Sequence, residues 1–297
     1  MLLPGERVRL VGGRLDIGGA VTVTAALLLA VYAVINGNEA GWRSTQTLGL
    51  LGAAAVLFIV FLVIEARVRE PLVALALFRR RNLATANVVG VLWAAAMFAW
   101  FFIDALYLQS VLGYSAMQVG LAFVPANLIM GAFSLGLSAK IVLRFGLSGP
   151  LAAGLMLAAL GLALFARAPI DGSFLVDVLP GLLLVGLGGG IAFNPLLLAA
   201  MSDVDPRDAG LASGVVNTAF MMGGALGLAV LASLAAARSV SLNRAGSDTM
   251  AAIAGGHQLA FALGAAFALL AALLGGLLIR TRAATTKAKR DVDVAVA

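Results

Sequence analysis

Residues 47–66 read TLGLLGAAAVLFIVFLVIEA. From Leu48 to Ile64 no side chain carries a charge or a hydrogen-bonding group. A helix over this stretch is ~30 Å long, the thickness of a bilayer's hydrocarbon core. A helix on a soluble protein keeps a polar face, and this one has none. The stretch therefore reads as a transmembrane helix.

Working outward, seven more segments have the length and apolar character to span: 17–36, 84–110, 116–138, 148–166, 174–200, 209–236 and 257–279. The whole chain of 297 residues is 62% hydrophobic and only 11% charged, with mean hydropathy +1.05. Soluble domains are about 25% charged. The expectation is an all-α integral membrane protein with eight spans, embedded in a lipid bilayer. The start, MLLPGERVRLVGG, has no apolar h-region or cleavage site, so no cleaved signal peptide is expected.

Charge gives the orientation. Sixteen of the twenty Lys and Arg fall on one side of these eight spans; Arg43, Arg167, Arg238 and Arg244 fall on the other. The positive-inside rule then places both termini in the cytoplasm, with the protein in the cell membrane. The run Arg79–Arg81 reads as a topology determinant. The net charge of +6 is accounted for in this way and gives no reason to expect a nucleic-acid partner. The tail 283–297 is polar and is expected to be disordered.

Several chemistries are excluded. Cysteine is absent and His257 is the sole histidine, so no metal site is expected. No P-loop, HExxH or GxSxG occurs. GLGGG at 186–190 lies inside a span with no strand before it. Neither an enzyme nor a cofactor is expected. What remains is a body that moves solutes on ion gradients, or one that only packs.

Polar residues within the spans need a reason, because an ionised group at the bilayer centre costs roughly 2.5–3.5 kcal/mol. Asp104 lies about six residues from the outer end of its helix, roughly 9 Å deep. At 100° per residue, Trp93, Met97, Trp100 and Asp104 share one face. Such a face suits lipophilic cations, through charge and cation–π contacts, and makes Asp104 the proton-coupling candidate. The alternative reading has the aromatics facing lipid and Asp104 capping a wet outer vestibule. Asn194, next to Pro195, and Asn217 are candidates for the substrate pathway; Asn87 and Asn127 read as packing. Asp177 and His257 read as interface residues, and Glu65 as a solvated helix end.

In 209–232, Gly210, Ser213, Asn217 and Gly224 form one small, polar stripe. Ala219, Gly223 and Gly227 form a second, of the small-xxx-small kind that brings membrane helices close.

Five stretches carry a resemblance: RLDIGGAV (14–21), GNEAGW (37–42), EPLVALALFRRRNLATAN (70–87), LYLQSVLGYSAMQVGLAFVP (106–125) and GIAFNPLLLAAMSDVDPRDAGLASGVVNTAFMMGGALGLAV (190–230). In order and spacing they resemble the 14-helix drug:proton antiporters of the major facilitator superfamily. The resemblance implies a cytoplasmic segment 1–16, a two-helix linker 17–70 and the C-terminal six-helix bundle at 82–282. It implies proton-coupled efflux of lipophilic or cationic small molecules. The family's N-terminal six helices have no counterpart here, so Met1 reads as an internal methionine and a separately encoded half is a candidate partner. A truncated or accessory membrane protein without transport of its own is the alternative. In AKIVLRFG (139–146), Leu143 stands where the family's loop motif has an acid.

Overall fold

The computed structural model describes residues 16–68, 71–73 and 78–279; the tail 283–297 and most of the segment 1–16 lie outside these. Every described element is helical, and eight helices are long and apolar enough to cross a membrane. The first two, α1 (Ile17–Ala40) and α2 (Thr45–Glu65), form a hairpin. The bundle follows as α3 (Arg81–Ser110), α4 (Ala116–Ala132), α5 (Ser138–Phe145), α6 (Ser148–Phe165), α7 (Leu179–Met201), α8 (Ala209–Arg244) and α9 (Thr249–Leu278). A π-helical turn, Phe133–Leu137, joins α4 to α5, so the two form one rod. A second π-turn, Phe174–Val178, leads into α7. Below, the end of the bundle where α1, α3 and α8 begin is called the basic end, after the sequence count of Lys and Arg.

The polar interruptions of the sequence are helix caps. Asp16 Oδ1 accepts from Gly19 N–H at 2.8 Å, and Ser44 Oγ accepts from Thr47 N–H at 3.1 Å. Ser115 and Gln118 form a reciprocal capping box on α4. Each satisfies a backbone N–H that the first helical turn leaves without a partner.

Three boundaries differ most from expectation, the first being the span expected at 116–138, which continues as α5 to Phe145. The span expected at 209–236 continues through RSVSLNR, so α8 reaches Arg244; α9 begins eight residues before the expected start at 257. Arg, Ser and Leu are all tolerated in a helix. The chain turns only at Gly246, with φ +91°, which a β-carbon disfavours. His257 consequently sits two turns inside α9 and is only 8% exposed, rather than at an interface.

Bundle order follows from small residues. The helix α3 is central, packed on α8, α9 and α7; α6 lies behind α7 and α9. A Cβ on Gly188 of α7 would strike Gly154 O and Ala158 N of α6. One on Gly227 of α8 would strike Ala95 of α3, and one on Gly223 would strike Val91. The second stripe of α8 is thus the close-packing seam with α3. In lipid, such seams rely on van der Waals contact. The hairpin docks through α1 against α8, where Ser233 Oγ donates to Val34 O at 2.7 Å.

Candidate functional site

A cavity of about 310 Å³ opens between α3, α7 and α8, in the half of the bundle nearer the basic end. Its floor is α3: Ala86, Asn87 and Gly90. At Gly90 a Cβ would lie 3.8 Å from Leu196 and 3.9 Å from Phe220, so the missing side chain leaves the space open. Phe193 of α7 and Phe220 of α8 meet edge-to-face across it, with ring centroids 6.1 Å apart. Exposed Ser213, Asn217 and Met221 form the α8 rim.

The lining is apolar and aromatic, with Asn87, Ser213 and Asn217 supplying neutral polar groups and no charged residue among them. Asn87 Nδ2 donates to Leu83 O at 2.8 Å, while its buried Oδ1 has no partner. Met and aromatic walls with few polar points suit varied lipophilic ligands.

The sequence-derived residues divide into separate groups. Asn217 lines the cavity; its stripe-mates Gly210 and Ser213 are exposed with it, while Gly224 is buried against Phe98. Trp93 and Trp100 are 1% exposed and Asp104 is fully buried, toward the opposite end from the cavity mouth. Met97 is partly buried against the same core. Trp100 packs edge-to-face on Phe123 of α4, at 5.6 Å, and Trp93 lies beside Gly189 of α7. Both Asp104 carboxylate oxygens, and the neighbouring Trp100 Nε1, lack hydrogen-bond partners. One turn beyond, Tyr107 Oη donates to Pro169 O at 2.7 Å, and Gln258 Nε2 donates to Ala168 O at 2.9 Å. These bonds hold the α6–α7 connection over that end.

Asn194 is not among the cavity residues. Its Nδ2 donates to Ser134 O, 2.7 Å away, in the π-turn after α4. Pro195 has no N–H, which frees the carbonyl of Ile191; Ser138 Oγ donates to it at 3.3 Å. The Asn-Pro pair and the π-turn thus complete each other's hydrogen bonding. Asn127, read as a packing residue, is exposed on α4.

Sequence reasoning missed Phe193, Leu196, Leu197, Met201, Phe220 and Met221, all of which line the cavity. The available signal was Met221, four residues after Asn217, which continues the same face of α8.

At the basic end, Arg80 Nη1 donates to Asp203 O and Asn82 Nδ2 to Ser202 Oγ at 2.9 Å. The start of α3 is thereby tied to the α7–α8 connection. Glu65, read as solvated, is 3% exposed: the chain after α2 folds back, and Val73 N–H donates to its Oε2 at 3.0 Å.

Comparison with known proteins points one way. The family model described as Major Facilitator Superfamily matches residues 1–228. The cephamycin export protein CmcT of Amycolatopsis lactamdurans is 37% identical over 77% of this chain and 48% of its own length. The puromycin resistance protein pur8 of Streptomyces alboniger is 32% identical over 95% of this chain and 57% of its own. The multidrug resistance protein Stp of Mycobacterium tuberculosis is 35% identical over 78% and 42%. The chain spans about half the length of these relatives.

Proposed function

The chain belongs to the major facilitator superfamily, and we propose that it is the C-terminal part of a proton-coupled exporter of lipophilic or cationic small molecules. The cavity carries this reading. It has a floor and two walls, and its α8 rim of Ser213, Asn217 and Met221 is exposed. Alternating access rocks one half-transporter against another around a midplane site; a one-sided cavity is what each half contributes. Export and resistance are the roles named for relatives in which about half the length is unmatched. On this reading the missing part is a six-helix half, the basic end is cytoplasmic, and α1 and α2 are the linker pair that makes the complete transporter a 14-helix one.

Drug and proton occupy separate places in this scheme. Asn217 and the Phe193–Phe220 pair face the drug. Asp104 holds the proton, because a buried carboxylate with no partner is unfavourable when ionised and acceptable when protonated. Trp93, Met97 and Trp100 wall that proton site. Asn194 shapes the α7 wall through Ser134.

The test is to co-produce this chain with the N-terminal six helices of a relative and follow efflux of a lipophilic cation from cells. Efflux that requires both parts and stops when the proton gradient is dissipated supports the reading. No efflux from the pair, with both parts in the membrane and associated, leaves the chain as a truncated or accessory membrane protein.

A further inference from the structure

At the basic end of the α1–α2 hairpin, two carboxylates converge. Asp16 caps α1 through Oδ1, leaving Oδ2 buried and without a partner. Glu65 ends α2, and its Oε1 is likewise buried and unpartnered. Both bare oxygens point at one backbone position. A Cβ added to Gly19 would collide with Asp16 Oδ2 and stand 3.0 Å from Glu65 Oε1. The glycine is what lets the second acid approach the first.

Two like charges sharing a buried site cannot both remain ionised without compensation. Arg67, just past α2, is exposed, and among the described residues neither bare oxygen has a hydrogen-bond partner. Helix dipoles break the symmetry. Negative charge is favoured at the start of α1, where Asp16 sits, and disfavoured at the last turn of α2, where Glu65 sits.

We propose that Asp16 and Glu65 form a proton-binding carboxyl pair, with one proton on Glu65 Oε1 donated to Asp16 Oδ2. The proton converts one orphan acceptor into a donor and satisfies both oxygens. Glu65 Oε2 stays free to accept from Val73 N–H, so the protonated acid keeps that bond. This site is separate from Asp104, on different helices and at the opposite end of the molecule. It stands whether or not the chain transports drugs.

Glu65→Gln mimics the protonated acid, since its amide can donate to Asp16 Oδ2 and its oxygen accept from Val73 N–H. The measurements are made on the full chain in lipid nanodiscs. Infrared spectra at neutral pH should show a carboxylic-acid C=O component that disappears in Glu65→Gln and persists in Asp104→Asn. Melting temperature should match the parent at neutral pH in Glu65→Gln and fall in Glu65→Ala. At alkaline pH the parent should lose stability while Glu65→Gln does not. The proposal is overturned if no acid band depends on Glu65. It is equally overturned if Glu65→Gln falls to the level of Glu65→Ala at neutral pH, because the site would then need a negative charge for a metal ion or a basic side chain.

Discussion

Asn217 and Asp104 are both polar groups on membrane helices of one bundle, and the chain treats them in opposite ways. Around Asn217, Gly90 withholds a side chain and two phenylalanines stand at the rim. Around Asp104 side chains close in: Trp100 packs on Phe123, Tyr107 bonds to Pro169 O, and the carboxylate has no exposed surface. The open place carries no charge, and the charged place is shut. A neutral amide tolerates a changing apolar ligand, whereas an acid without partners gains from changing its own protonation. The contrast assigns binding to one end and coupling to the other, within the proposed exporter.

The contrast can be broken most directly at Asp104. In the assembled transporter, Asp104→Asn should abolish gradient-driven efflux, measured as drug accumulation, while drug binding persists. The same substitution should change the stability of the chain by less than about 1 kcal/mol, because it exchanges a protonated acid for a neutral amide of the same size in the same unpartnered place. Loss of efflux through misfolding would instead lower the melting temperature. Next in size is Gly188→Ala. Its Cβ would enter the α6 backbone at Gly154 and Ala158, and overpacking of this kind costs about 1–3 kcal/mol. Thermal unfolding in detergent reads it out, and the cavity should lose its α7 wall together with stability.

Asn217→Leu should leave stability and proton movement intact and change the relative export of two drugs by about tenfold, or ~1.4 kcal/mol. Competition in an efflux assay measures it. The smallest effect belongs to Ser138→Ala. It removes the donor to Ile191 O and should cost about 0.5–1.5 kcal/mol, with drug selectivity unchanged. An altered selectivity would tie the Pro195 region to the drug path more tightly than the geometry does.

Hydropathy was enough to find all eight spans, because lipid requires every spanning backbone to be helical and its side chains apolar. The ends of α8 and α9 were not legible, since a helix that continues past the bilayer in polar residues looks like a loop until Gly246 stops it. The packing stripe of Gly223 and Gly227 was readable from its spacing. The cavity was readable only at Asn217: Phe193 and Phe220 are ordinary apolar residues until two helices bring them together. Glu65 was misjudged for a related reason. Its neighbours in sequence, Arg67 and Arg69, suggested water; its neighbours in space are Asp16, Gly19 and the returning Val73. Sequence shows which groups are polar within a span. It does not show which of them other helices will cover.

The central claim is that the α3–α7–α8 cavity is the drug-facing wall of a half-transporter. The chain has no cysteine, so single cysteines at Asn217 and at Val124, exposed on α4 away from the cavity, can be labelled with a maleimide in the assembled transporter. Excess transported drug should slow labelling at Asn217→Cys several-fold and leave Val124→Cys unchanged. Equal labelling at Asn217→Cys with and without drug, in a transporter that still exports, would contradict the claim.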